Sequence, residues 1–151
     1  MAKFVFKFQP LLDLKTQMED SLKNELGKAI QKLEQEKEVL RTMETEREEC
    51  IRQFNEKSSQ GIVVERLKEY NLYISHLKER MEKQKENIKA AQKNVDKVRE
   101  QLIKVVQERK MLDKLKEKKL EEYKKEQLVQ EQKVIDEVVS FKYTNRINNE
   151  M

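Results

Sequence analysis

The 151 residues include 33 Lys and Arg against 29 Asp and Glu, so charged residues make up 41% of the chain and apolar ones only 36%. That is too little apolar material for a globular core of this length, and two Gly with one Pro cannot supply the turns of an all-β or α/β fold. One His and one Cys leave little from which to build a catalytic triad or a zinc site, and no window approaches the roughly 20 apolar residues of a membrane span.

Phe4, Phe6 and Phe8 alternate with Val5 and Lys7 just ahead of Pro10. Lys7 and Asp13 interrupt this apolar start and no small-residue cleavage site follows, so a soluble cytoplasmic chain is expected. A single cysteine cannot form an internal disulfide, which fits a reducing compartment. The three phenylalanines either cap the end of a helical pair or anchor a partner.

Pro10 suits the first turn of a helix, where its missing N–H costs nothing. The first helix is expected over about 10–57. One row at steps of seven reads Leu12, Glu19, Leu26, Leu33, Leu40, Arg47 and Phe54. The other reads Phe8, Lys15, Leu22, Ala29, Glu36, Met43 and Cys50. Together they form the a/d seam of a coiled coil, spoiled at Glu19, Glu36 and Arg47. Lys57-Ser58-Ser59-Gln60-Gly61 is the only stretch with turn chemistry, and places a turn at about 57–61.

The second helix is expected over about 62–140, with the clearest seam of the chain. Leu67, Ile74, Met81, Ile88, Val95 and Leu102 form one row. Val63, Tyr70, Leu77, Gln84, Ala91, Val98, Val105 and Leu112 form the other, with Gln84 its single polar member. Seams on both sides of a short loop predict an all-α fold: two long helices in an antiparallel coiled-coil hairpin, as a single domain over 1–151. Heptads alone do not fix strand orientation, so a parallel two-chain coiled coil stays open.

Pairing about the turn sets Leu12 near Val106 and leaves most of the chain after about Leu115 as an overhang without an intramolecular partner. Leu115, Leu120, Leu128, Ile135 and Val138 there lie in a shifted register. Such residues mark either a face awaiting another protein or a frayed tail. Residues 141–151 are expected to be disordered.

Charge divides as −1 over residues 1–57, +6 over 62–118 and −1 over 119–151. The basic second arm lacks the dense Lys/Arg block of a DNA-binding region, so no nucleic-acid partner is expected. Cys50 falls in a seam row, His76 falls on an outer face with no second ligand at metal spacing, and there is no GxxxxGK[ST]. Neither a catalytic group, a metal nor a cofactor is expected. Near the turn, Tyr70 is a seam residue, while Tyr73 and Leu72 point away from the seam, a modest sign of a binding patch.

The segments FKFQPLLDLKTQME, QGI, EYNLYISHL and EQKVIDEVV, in that order, resemble the FliJ family of the bacterial flagellar type III export apparatus. The resemblance implies an antiparallel coiled coil similar to the rotary stalk of F-type ATPases. It implies that the paired chain ends engage the hexameric export ATPase (FliI-like), with its regulator (FliH-like) close by. It further implies that the turn end engages the membrane export gate protein (FlhA-like), that export chaperones are escorted, and that the chain sits at the cytoplasmic face of the membrane at the flagellar base. Carried over, the gate-binding strip would be Met43, Tyr73 and Leu77, with Tyr70 beside it, while Glu46 and Cys50 stand where the family shows aromatics. The ATPase-binding set would be Phe4, Phe6, Phe8, Leu120, Leu128, Ile135 and Val138. A passive coiled-coil tether or a prefoldin-like chaperone is the competing class.

Overall fold

The computed structural model describes residues 3–150. Two helices, α1 (Gln9–Ser59) and α2 (Val64–Glu150), account for almost all of them, and no strand occurs among the described residues. The fold is an all-α antiparallel coiled-coil hairpin with an overhanging C-terminal helix. Its contacts group into two compact units, one formed by the chain ends up to Gln17 and from Val105 on, the other by Met18–Lys104.

In Met18–Lys104 the buried side chains are those the heptad rows single out. Leu77 and Val95 are fully covered, at 0% and 1% exposure. Ala29, Leu33 and Val95 form a core cluster against which Leu26, Ile88 and Ala91 pack. Each is an a/d knob set into the facing helix, and burial of this apolar area is the main force holding the pair together. The polar break in the α2 seam is not left empty-handed. Gln84 is buried and donates from Nε2 to the Glu36 carbonyl at 2.8 Å and to the Glu36 carboxylate at 2.5 Å, while its Oε1 accepts from Asn87. Two seam interruptions, one on each helix, thus satisfy each other.

The turn follows from one residue. Gly61 takes φ +80°, the left-handed conformation that glycine reaches without a Cβ clash. Its N–H donates to the Ser58 carbonyl, and the Ile62 N–H reaches back to the Lys57 carbonyl at 3.3 Å. This is the Schellman arrangement that closes a helix C-terminus. Lys57 in the last turn complements the dipole of α1.

In the chain-end unit, Leu12 and Val105 are buried and Lys15 meets Glu108 at 2.6 Å, close to the pairing read from the heptads. Two expectations are corrected here. Intramolecular cover does not stop near Leu115: residues 3–8, ahead of α1, lie along α2, so Phe4 meets the Tyr123 ring at 5.6 Å and Leu120 is half-buried. Residues 141–150, expected to be disordered, continue α2, since no Gly or Pro breaks its hydrogen-bond ladder and the Thr144 hydroxyl donates back to the Ser140 carbonyl.

Candidate functional site

Two surfaces carry the residues singled out above. The first lies in Met18–Lys104 near the turn. Lys57 Nζ donates to the Tyr70 hydroxyl at 2.8 Å and lies 5.3 Å from that ring's centroid, so one cation holds the tyrosine both by its oxygen and by its face. Tyr73 donates its hydroxyl proton to the Glu46 carboxylate. That hydrogen bond is the main reason the Tyr73 phenol titrates above its ordinary range. Glu46, standing where the family resemblance suggested an aromatic, is thus the group that orients Tyr73. A groove of about 330 Å³ is lined by Lys57, Arg66, Glu69, Tyr70 and Tyr73.

Of the strip expected to meet the gate, Tyr70 and Met43 are half-buried and Tyr73 is exposed, but Leu77 has no exposed surface and belongs to the seam. Leu72, 72% exposed, offers more apolar surface than any member of that strip. Cys50 is half-buried in its seam row. Burial above all, with the charges of Glu46 and Glu49, pushes its thiol above its ordinary value.

The second surface lies in the chain-end unit. Phe6 is buried and packs edge-on against Phe8 at 5.9 Å, while Phe8 itself is 41% exposed. With Phe4 and Val5 they line a groove of about 520 Å³ against Lys119, Glu122, Tyr123 and Glu126. From Leu128 to Glu150 every residue is exposed. Leu128, Ile135 and Val138 are there as expected, and the structure adds Val129, Val134, Val139, Phe141 and Tyr143. Reading only one heptad row hides these. At 100° per residue, Leu128, Ile135 and Val139 form one stripe, while Val134, Val138 and Phe141 form a second beside it. Among the described residues, no cluster of His, Cys, Asp or Glu could hold a metal, and no helix is long and apolar enough to cross a membrane.

Fold and surfaces together define a coiled-coil hairpin with an unpaired apolar end, a class of protein built around contact surfaces. The chain belongs to the FliJ family: the family described as "Flagellar FliJ protein" matches residues 4–148. Among solved structures it is similar to CT670 of Chlamydia trachomatis, described as a YscO homolog, with 28% identity and a TM-score of 0.73 over 94% of this chain and 96% of that one. No curated protein matches it.

Proposed function

We propose that this member of the flagellar export apparatus is a non-catalytic stalk. Its chain-end unit binds the hexameric export ATPase and promotes hydrolysis, and its turn-proximal surface meets the export gate at the cytoplasmic face of the membrane. The ATPase's regulator and export chaperones are further partners under this reading. The observation that carries it is the apolar surface of residues 128–150, exposed on two adjacent stripes. A single partner helix covers one stripe. Two stripes need a partner that wraps the helix, as the lumen of a ring does, and burial there contributes roughly 25 cal/mol per Å².

The test is hydrolysis by the export ATPase with and without the purified chain. Stimulation at substoichiometric ratios is expected. Ending the chain after Glu126 keeps the Phe4–Tyr123 contact and the hairpin, yet should abolish stimulation; Ile135→Asp should weaken it strongly, since a charge enters an apolar sleeve at high cost. Equal stimulation by the shortened chain sinks the stalk reading. No change in turnover at any ratio would make the chain a passive tether or a prefoldin-like chaperone instead.

A further inference from the structure

The chain-end unit has a second apolar surface that the stalk reading leaves unused. A groove of about 560 Å³ runs between the helices, lined by Leu11 and Lys15 of α1 and by Glu108, Met111, Leu112 and Leu115 of α2. Its borders are open, with Met111 71% and Leu11 41% exposed; Leu14, 50% exposed and three residues after Leu11, lies outside the lining and extends that apolar edge along α1. Leu11 and Leu14 are three apart on one helix, and Met111 and Leu115 four apart on the other. Each pair therefore forms one apolar edge, and the two edges flank a furrow of the kind a third helix packs into.

Charge selects which helix. Lys15 and Glu108 neutralise each other across the furrow at 2.6 Å. Along α2, Arg109 is held by Asp113 and Lys119 by Glu122. Between them Lys110, Lys114 and Lys118 follow one another at intervals of four, all exposed. None of these three has an ion pair or hydrogen bond to any described residue. Lys114 and Lys118 stand three and seven residues after Met111 and share its face. Their own carboxylates, Asp113, Glu117 and Glu121, each three residues on, lie on the flank away from Met111, so the lysines face an anionic edge laid on the Met111 side.

We propose that this groove docks an acidic amphipathic helix of a partner protein, its apolar stripe on Met111, Leu115, Leu11 and Leu14 and its carboxylates along Lys110, Lys114 and Lys118. The site stands independently of the stalk reading, because it uses neither the phenylalanines nor residues 128–150. Its test is fluorescence anisotropy of the full chain with two synthetic helical peptides. Both carry one leucine stripe, flanked by glutamates in one and by lysines in the other. The acidic peptide should bind saturably at one per chain, more weakly as salt rises, and at least tenfold more tightly than the basic one. Met111→Glu should weaken it at least tenfold, as should Lys114→Glu with Lys118→Glu. All three positions are exposed, so unchanged melting by circular dichroism is expected for these variants. Equal affinity for the two peptides, no binding of either, or full affinity in Met111→Glu would overturn the assignment. So would concentration-dependent dimerisation that Met111→Glu abolishes, since the groove would then belong to a second copy.

Discussion

Two stretches of α2 with comparable supplies of Val, Ile and Leu meet opposite fates. In the stretch covered by α1, Leu77 and Val95 have lost all but 1% of their exposure. From Leu128 on, Val139 and Phe141 remain 60% and 67% exposed. Helix formation does not distinguish them, since α2 runs unbroken through both. The difference is whether an opposite row exists. Under cover, seam positions such as Leu77 and Val95 are buried while off-seam residues such as Leu72 and Ile103 stay open; without it, the apolar residues stand exposed on two stripes. The free end has only its backbone ladder and local side-chain pairs to hold it, so it belongs to the low-stability end of the molecule.

The sharpest way to break this comparison is to place the same charge in both stretches. Val95→Asp should lower unfolding stability by about 4 kcal/mol or more, because it strands a carboxylate against Ala29 and Leu33. Val138→Asp should stay within about 0.5 kcal/mol. Urea unfolding followed at 222 nm decides the matter, and equal losses would erase the contrast. A gentler pair is Leu77→Ala, expected to cost about 2–5 kcal/mol, against Leu128→Ala, whose lost side chain was already in water.

Smaller again is Gln84→Ala, at about 1–3 kcal/mol, since it withdraws the donor from Glu36 and leaves a cavity in the seam. Adding Glu36→Leu should recover part of that loss, because removing both polar partners is less costly than removing one. A full loss in the double variant would show that the pair acts through packing alone. The smallest effect is in pH. The Lys32 ammonium, and after it the Gln84 amide, hold the Glu36 carboxyl below its ordinary value. A depressed folded value means a contribution that is intact above the ordinary carboxylate range and lost as pH falls through the folded one. Thermal melts should therefore show a slightly steeper acid decline for the parent chain than for Glu36→Gln.

Much of this architecture was legible from spacing alone. Ala29, Leu33, Leu77, Met81, Val95, Val98 and Val105 are buried where steps of seven place them, and Gly61 turns the chain where turn chemistry is concentrated. What heptads could not reveal lies outside helical periodicity. The row that counts Phe8 as a seam residue does not hold ahead of α1, where Phe6 is buried and Phe8 is 41% exposed. The helix runs to Glu150 where a disordered tail is expected, because no Gly or Pro in residues 141–150 interrupts it. Leu77 marks a limit of another kind. One position can satisfy both a seam and a surface pattern in sequence, and only packing shows that the seam takes it.

The interruptions in the α1 rows bear on how many chains assemble. Were two copies to lie side by side in the same direction, every seam position would confront its own duplicate. Glu19 would meet Glu19, Glu36 would meet Glu36, Lys15 and Arg47 likewise, and confined like charges oppose such a pair. Folded on itself, the chain instead offers Glu36 the Gln84 amide and Lys15 the Glu108 carboxylate. Residues that weaken α1 as a generic zipper thereby penalise the parallel homodimer far more than the hairpin. The positions that make the heptad look imperfect thus favour the hairpin over a parallel two-chain coil.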